Sequence, residues 1–367
     1  MMRTLLSLVL AIVTCVSGCA QPAQEVTFED KIGQMLMVGF RGTEVDEKSP
    51  IVADIREGNI GGVILFDYDV PTDSPLRNIQ SAEQVKKLNH QLQNVSSTPL
   101  FIAVDQEGGN VARLKTKFGF PKTVTAEYLG SLNNADSTRF YARYQSELLN
   151  KLGFNLNFAP VVDLNTNPKN PIIGKLERSF SADPDVVTKH ARIVVDEHLN
   201  SGIIPVLKHF PGHGSAWNDS HKGIADVTET WEPVELKPYQ NLIASDSIPA
   251  VMTAHVFNAK LDSTYPATLS KPVLSGVLRD SLNFGGIIFS DDMQMNAIRS
   301  QYGLQTALKQ GINAGLDVLV FANNSIFEED IAQRAISIIN RLVENGEIPK
   351  ERIEESYKRI MEVKRKM

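Results

Sequence analysis

Short apolar runs alternate with longer amphipathic stretches along most of the chain. From Phe28 onward, eight runs rich in β-branched and aromatic residues are separated by segments of helical period. The runs are residues 32–40, 61–66, 100–104, 156–162, 203–207, 250–255, 286–289 and 318–321. The helical stretches are residues 81–94, 136–152, 184–201, 234–245, 296–311 and 328–345. This alternation favours an α/β fold made of a single (β/α)8 TIM-type barrel over an open sheet.

The two ends of this pattern need separate comment. Residues 32–36 fit a strand, but they fit equally well a helix that continues from Phe28. The final helix, residues 351–367, carries five cations: Lys358, Arg359, Lys364, Arg365 and Lys366. Cations near a helix C-terminus are favoured by the helix dipole, and a run of like charges is usually solvated. We therefore expect these five side chains to form a solvated face.

The first 18 residues have the features of an export signal. Arg3 is their only charge, and the apolar run that follows is too short to span a membrane. The tetrapeptide Val16-Ser17-Gly18-Cys19 resembles a bacterial lipobox, which predicts a lipidated Cys19 and an exported protein held at a bacterial membrane by its lipid alone. Cys15 is a competing site, and a plain secretory signal is the alternative interpretation.

This interpretation divides the chain into three parts. Residues 1–18 are the expected signal, residues 19–27 a short tether, and residues 28–367 the barrel with its C-terminal helix. The only two cysteines, Cys15 and Cys19, lie in the first two parts, so the barrel has no disulfide although export would permit one. Its stability must come from core packing.

Composition narrows the class of protein. With 42% hydrophobic and 22% charged residues, the chain has the balance of an ordinary globular protein. The 37 basic and 43 acidic residues give a net charge of −6, and no basic stripe precedes the last helix. Nucleic-acid binding therefore lacks its electrostatic footprint. No glycine-rich dinucleotide fingerprint follows the first strand, which excludes a Rossmann-type dehydrogenase.

Ionisable residues cluster where the predicted strands end. Barrel enzymes carry their chemistry at the carboxyl-terminal ends of the strands. One such residue would be explained as a helix cap or a turn former, but seven residues after five strands would not. They are Asp105, Asp163, Lys208, His209, His255, Asp291 and Asp292.

The densest polar segment, residues 208–221, is called the histidine loop below. It contains His209, His213 and His221. Histidines and carboxylates could bind zinc, but Pro211 and Gly212 prevent the helical spacing that such motifs use. We therefore expect neither a metal nor a cofactor.

Two carboxylates and one imidazole in these segments suit proton transfer and covalent catalysis. Asp219 lies two residues before His221, so a turn can let the carboxylate orient the imidazole and raise its basicity. In the segment Ser290-Asp291-Asp292, only one of the adjacent carboxylates can point inward, and it is a candidate nucleophile. A carboxylate that faces a proton donor across a cleft is the minimal equipment for glycoside cleavage with retention.

These segments resemble a known family. Lys-His-Phe-Pro-Gly-His-Gly at residues 208–214, followed by Asp-Ser-His at residues 219–221, is similar to the signature of family 3 glycoside hydrolases of the β-N-acetylglucosaminidase (β-hexosaminidase) type. Residues 104–109, 157–163, 178–180, 252–255 and 290–293 resemble further blocks of that family, in the same order. The similarity extends over residues 28–345.

The resemblance implies a fold, a reaction and a set of roles. It implies a (β/α)8 barrel that hydrolyses terminal N-acetyl-β-D-glucosamine in two retaining steps, with Asp291 as nucleophile, His221 as acid/base, Asp219 as its support and Asp292 as a structural residue. It further implies sugar contacts by five residues: Asp105, Arg113, Arg178, Lys208 and His209.

Two departures and two alternatives accompany the resemblance. Asn110 stands where the family often has arginine, and the approach to Arg178, residues 173–177, is longer than usual. A phosphorylase of the same fold is an alternative, since a neutral imidazole does not repel phosphate as a carboxylate would. A sugar-binding lipoprotein without catalysis is the other. The natural glycan, for example peptidoglycan fragments or chitooligosaccharides, stays open.

Overall fold

A computed structural model describes residues 26–219, 223–245 and 248–367 of the chain. The expected signal, Cys19 and His221 lie outside these ranges. Among the described residues, no helix combines the length and the apolar composition that crossing a bilayer requires.

Eight parallel strands form the barrel. The described residues contain these eight strands and two further short ones, numbered together in chain order: β1 Leu36–Gly39, β2 Gly62–Leu65, β3 Phe101–Val104, β4 Leu156–Asn157, β5 Ile204–Phe210, β6 Ala225–Asp226, β7 Ala250–Thr253, β8 Val256–Phe257, β9 Ile287–Phe289 and β10 Leu319–Phe321. The main sheet runs β10-β1-β2-β3-β4-β5-β7-β9, and a parallel bridge between Phe289 and Val318 brings its two outer strands together. The sheet therefore closes into the predicted barrel. The short strands β6 and β8 pair with each other beside it.

Helices follow most of the strands, as the sequence predicts. They are α1 Phe28–Gln34, α2 Pro50–Arg56, α3 Ala82–Val95, α4 Ala126–Leu132, α5 Ala135–Lys151, α6 Pro184–Asn200, α7 Lys237–Ile243, α8 Asn296–Ala314, α9 Ile331–Glu344 and α10 Lys350–Lys364. The sequence did not predict α2, α4 or the π-helix Pro272–Ser281. A 3-10 segment, Pro233–Leu236, replaces the start of the predicted helix at residues 234–245.

The barrel strands are apolar because both of their faces are covered. Every residue of β1, β2, β3 and β5 is buried. Phe289 packs edge-to-face against Phe101 and Phe158, with ring centroids 6.2 and 5.6 Å apart. These interactions join strands from different sides of the barrel.

Local chemistry changes two of the predicted strands. The run at residues 32–40 divides, because Thr27 and Asp30 form a reciprocal capping box that starts α1, and only Leu36–Gly39 is a strand. The run at residues 156–162 shortens to Leu156–Asn157, where Pro160 cannot donate to the ladder.

The expected solvated face on the last helix is wrong for two of its five cations. Lys364 is 2% exposed, and its Nζ donates to Gln34 Oε1 and to the Gly61 carbonyl, both at 2.7 Å. Arg359 pairs with the buried Asp317 at 3.1 Å. Lys364 lies four residues after the buried Ile360, so helical geometry turns it inward. Lys358, Arg365 and Lys366 are exposed, as expected.

Candidate active site

A cavity of about 680 Å³ opens at the carboxyl-terminal ends of the barrel strands. Its size is that of a small-molecule site. Six of the residues singled out from the sequence line it together: Asp105, Arg113, Arg178, Lys208, His209 and Asp291. The cavity also contains Asn110 and Asp292. The expected clustering of these residues is therefore present in the folded chain.

Asp105 follows β3 and is held by two cations. Its Oδ1 accepts from Lys208 Nζ at 2.8 Å, and its Oδ2 accepts from Arg113 Nη2 at 3.3 Å. Burial opposes ionisation of Asp105, but Lys208 and Arg113 outweigh it and hold its pKa below the ordinary value. The side chain keeps 17% of its surface exposed toward the cavity. Asp105 is therefore an anion that can accept hydrogen bonds from a ligand.

Glu107 is the centre of the same network, although no role was predicted for it from the sequence. It accepts from Arg178 Nε at 2.8 Å and Nη2 at 2.7 Å, and Lys208 Nζ lies 2.7 Å from Oε1. Burial again opposes ionisation, but Arg178 and Lys208 lower the pKa of Glu107 to about 2. The bidentate pair fixes the plane of the Arg178 guanidinium. Its position two residues after Asp105 in a glycine-containing loop was the only signal.

His209 is held in one tautomer between two groups. Its Nδ1 lies 2.7 Å from Asp163 Oδ2, and its Nε2 lies 3.2 Å from Arg178 Nη2. Because arginine can only donate, Nε2 must accept and Nδ1 must carry the proton that goes to Asp163. Burial opposes ionisation of Asp163, but His209 and His213 hold its pKa below the ordinary value. The imidazole therefore presents a fixed face to the cavity.

The two adjacent carboxylates after β9 have different surroundings. Asp292 Oδ1 accepts from the backbone amides of Gln294 and Ala322, at 3.1 and 3.0 Å. The Asp291 amide donates to Thr253 Oγ1 at 3.3 Å, and its Oδ1 accepts from the Asp292 amide at 2.8 Å. Asp292 thus connects β9 to the end of β10, whereas Asp291 lies at the cavity with its backbone anchored to β7.

His255, the residue at the end of the sixth predicted run, supports this segment from behind. It is fully buried, and its Nε2 donates to the Asp292 carbonyl at 2.9 Å while Nδ1 lies 2.8 Å from Thr268 Oγ1. These contacts assign His255 to holding the loop after β9. It does not line the cavity.

The histidine loop is described only as far as Asp219. Gly212 needs a positive φ of 122°, and a Cβ on Gly214 would lie 1.7 Å from the Leu164 carbonyl, so both glycines permit the tight course of the loop. Burial lowers the pKa of His213 to about 4, which keeps its imidazole neutral. Asp219 is half-buried, and His221 lies outside the described residues. Within the described parts of the chain, no three histidine, cysteine or acidic residues could together hold a metal ion.

Asn110, the first departure from the family pattern, lies on the rim. Its Nδ2 donates to the Leu176 carbonyl at 3.2 Å. This bond joins the loop after β3 to residues 173–177, the second departure. The longer segment does not displace Arg178 from the cavity.

Comparison with known protein families identifies the family of this chain. The model of the glycosyl hydrolase family 3 N terminal domain matches residues 27–363. The chain belongs to family 3. It is 31% identical to beta-hexosaminidase A of Pseudoalteromonas piscicida, over 93% of this chain and 62% of that protein. It is 30% identical to beta-hexosaminidase LpqI of Mycobacterium tuberculosis, over 95% of this chain and 86% of that protein.

A solved family 3 structure has the same fold. The β-N-acetylglucosaminidase from a Paenibacillus species superposes with a TM-score of 0.84 at 34% identity, over 93% of this chain and 62% of that one. The chain therefore spans less than two thirds of this relative and of the Pseudoalteromonas protein. The predicted family and the predicted barrel are both confirmed.

Proposed function

We propose that this family 3 protein is a retaining exo-β-N-acetylglucosaminidase. It would hydrolyse terminal non-reducing N-acetyl-β-D-glucosamine from glycans such as peptidoglycan fragments or chitooligosaccharides. The names of the Pseudoalteromonas, Mycobacterium and Paenibacillus relatives support the activity, a β-N-acetylhexosaminidase. The observation that carries the proposal is the single cavity that Asp291 shares with the network of Asp105, Lys208 and Arg178.

The charged network is suited to binding the hydroxyl groups of a sugar ring. Asp105 accepts hydrogen bonds, while Lys208 and Arg178 donate them, so hydroxyls of both roles find partners. The ion pairs already fix these side chains, which reduces the entropy lost when a substrate binds. A terminal sugar held in this way would bring its anomeric carbon to Asp291.

The proposed chemistry has two steps that share one acid/base. Asp291 attacks the anomeric carbon while His221 protonates the departing aglycone oxygen, which gives a glycosyl ester on Asp291. The now neutral His221 then deprotonates a water that attacks the same carbon and releases Asp291. Asp219 would orient the His221 imidazole and raise its basicity. Two inversions at one carbon retain the β configuration.

The full chain in mild detergent, given a chromogenic β-N-acetylglucosaminide, tests the reaction. We expect turnover that does not depend on phosphate, with β-N-acetylglucosamine as the first product by NMR. A requirement for phosphate, with a sugar phosphate as product, would favour the phosphorylase. Sugar binding without turnover would favour a binding lipoprotein, and an α-configured first product would exclude retention.

The role of His221 can be tested with two substrates. An activated aryl glycoside needs little protonation of its leaving group, whereas a disaccharide needs it fully. His221→Ala should therefore slow disaccharide cleavage more than formation of the aryl-derived intermediate, and azide should partly restore aryl turnover. Equal losses on both substrates without rescue would return His221 to a structural role.

The cellular location is part of the same proposal. We infer that residues 1–18 direct export, that Cys19 carries the lipid, and that residues 19–27 tether the catalytic barrel of residues 28–367 to a bacterial membrane. The family match, which begins at residue 27, supports this division. Cys19→Ala should move the protein from the membrane to the soluble fraction. A wild-type protein already soluble, with a terminus beyond Cys19, would contradict it.

A further inference from the structure

A buried carboxyl group lies directly beneath the histidine loop. Glu235, in the 3-10 segment Pro233–Leu236, is 1% exposed. A Cβ built on Gly212 would lie 2.7 Å from both Cβ and Oε2 of Glu235, so the loop rests on this side chain. Trp231, four residues earlier, donates from Nε1 to the Pro211 carbonyl at 3.1 Å. The histidine loop thus packs directly on the segment that contains Trp231 and Glu235.

The surroundings of Glu235 favour its uncharged form. No described residue gives either carboxyl oxygen a hydrogen bond of standard geometry. Burial raises the pKa of Glu235 to about 7; the Ser215 hydroxyl and the Gly214 amide oppose this rise, and the negative charge of Asp163 adds to it. Tyr239 of α7 also faces this compartment, and burial raises its pKa well above the ordinary value, so it stays neutral.

Asp163 and Glu235 therefore share one compartment, and below about pH 7 they hold only one negative charge between them. Asp163 keeps it, because its oxygens accept from the His209 ring at 2.7 Å and from the His213 amide at 2.8 Å. Glu235 faces only the Ser215 hydroxyl and the Gly214 amide, neither of which forms a hydrogen bond of standard geometry, so it is the carboxyl group that takes the proton. His209 and His213 are the titratable groups that face the compartment from the loop side. A second anion here would compete with Asp163 for the hydrogen bonds that the His209 ring and the His213 amide donate, and the orientation of His209 depends on the first of these.

We propose that Glu235 is a positioning residue, whose uncharged carboxyl group supports the histidine loop and leaves Asp163 as the one anion that orients His209. Ionisation of Glu235 would disturb the close contact between Gly212 and the Glu235 side chain, and with it the orientation of His209. It would also disturb the course of the loop as far as Asp219, the last residue of the loop that the structure describes. The inference rests on the proposed function, because its readout is turnover.

The consequence is a limit on activity at alkaline pH. As pH rises through about 7, Glu235 loses its proton and kcat should fall. The native state should lose stability mainly between about pH 4.5 and about pH 7, because only there does the folded chain bind more protons at Glu235 than the unfolded chain does. A neutral amide at this position should remove both effects.

Asp54 of α2 provides a matched control. It is 3% exposed, and burial raises its pKa to about 6. Its carboxyl contacts Asn59 and Gln333, and it does not line the cavity. Asp54→Asn should therefore flatten the pH dependence of stability, as Glu235→Gln should, without touching the histidine loop. Stability is the shared readout, and the pH profile of kcat separates the two sites.

The experiment compares the full-length wild type, Glu235→Gln and Asp54→Asn on the chromogenic substrate between about pH 5.5 and about pH 9. We expect Glu235→Gln to lose less than about threefold in kcat at the acidic end and to move the alkaline limb of kcat to higher pH. Asp54→Asn should retain the wild-type limb. Thermal unfolding, measured from about pH 4 to about pH 8, should depend less on pH in both variants than in the wild type: below about pH 6 for Asp54→Asn and below about pH 7 for Glu235→Gln.

Each other outcome has a definite meaning. An alkaline limb that is unchanged in Glu235→Gln, or that moves equally in Asp54→Asn, overturns the inference. If Glu235→Gln folds poorly, the uncharged Glu235→Met carries the same test, and failure of both to fold would make Glu235 a stability residue alone. A wild type without turnover would instead overturn the proposed function.

Discussion

Two buried ion clusters lie at opposite ends of the barrel, and they differ in what their charges face. The upper cluster, at the carboxyl-terminal strand ends, consists of Asp105, Glu107, Arg178 and Lys208 and lines the cavity. The lower cluster surrounds Asp317, which lies two residues before the start of β10. Both contain carboxylates paired with cations at normal distances, so pairing alone does not distinguish a site from a structural network.

The lower cluster is closed. Asp317 is 0% exposed and accepts from the side chains of Arg279, Arg352, Arg359 and Ser356 and from the Ile288 amide, at 2.6 to 3.1 Å. Burial opposes its ionisation, but the arginines hold its pKa below the ordinary value. Its donors come from α10, from the π-helix and from β9, so the carboxylate ties the outer helices to the start of two strands.

The comparison shows how location decides the role of the same chemistry. In the upper cluster, Asp105 remains 17% exposed to a cavity, and its partners can exchange some of their contacts for a ligand. In the lower cluster every oxygen is occupied by protein donors. We therefore expect changes in the upper region to affect turnover with little effect on folding, and changes in the lower region to do the reverse.

The largest expected effect is that of Asp291→Asn. The amide cannot form the glycosyl ester, so kcat should fall by about 10⁴-fold, or about 5.5 kcal/mol of activation free energy. The midpoint of thermal unfolding should stay close to that of the wild type. A fluorinated slow substrate should label Asp291 in a peptide map of the wild type. Labelling of Asp292 would contradict the assignment, and a large loss of stability in Asp291→Asn would break the comparison.

Asp317→Asn should have the opposite effect. Without the carboxylate, three partly buried arginines lose their shared anion, and the free energy of unfolding should fall by about 3 kcal/mol. At a temperature where the variant is still folded, kcat and KM should match the wild type. Urea unfolding and steady-state kinetics on one preparation measure both. A variant that is equally stable but slower would show that the lower cluster takes part in function.

The sequence predicted the upper region better than the lower one, and the reason is geometric. Apolar strands end at recognisable positions, so Asp105, Lys208 and Asp291 could be assigned to one face of the barrel before any contact was known. Lys208 then meets Asp105 across 103 residues of chain, as a barrel requires. The ends of strands indicate which residues lie on the same face of the barrel, but they do not indicate which of those residues contact each other.

Residues on loops and irregular segments could not be predicted in this way. Glu107 lies beyond the strand, where no periodicity fixes a direction, and its pairing with Arg178 depends on the course of a second loop. Glu235 fell in a predicted amphipathic helix, but the segment is a 3-10 turn that points it inward. Arg359 and Lys364 were predicted to be solvated because they lie in a run of like charges. Their buried partners, Asp317 and Gln34, belong to other parts of the chain, so the local sequence does not indicate them.

Lys364 gives the smallest and sharpest test of the lower region. Burial lowers its pKa from 10.5 to about 7. Its Nζ contacts only uncharged groups: the Gln34 side-chain oxygen, the Gly61 carbonyl and the Phe101 ring, whose centroid is 4.6 Å away. Between about pH 7 and about pH 10.5, the unfolded chain therefore binds more protons at this site than the folded chain does. By linkage, wild-type stability should rise with pH across this window, by up to about 1.4 kcal/mol per pH unit.

Lys364→Met should remove that rise. The thioether side chain fills similar space without a charge, but it leaves the Gly61 carbonyl and the Gln34 oxygen without their donor, a cost of about 1–3 kcal/mol. These two effects on the free energy of unfolding have opposite signs, so a measurement at one pH would mix them, and the slope of stability against pH is the quantity to measure. Urea unfolding at three pH values from about 7 to about 9.5 should show the wild type gaining stability relative to the variant.

Lys358→Met, an exposed change on the same helix, should keep the wild-type slope. Parallel profiles for wild type and Lys364→Met would mean that Lys364 stays charged in the fold, and that two neutral oxygens and the Phe101 ring suffice to hold an ammonium at the lower end of the barrel.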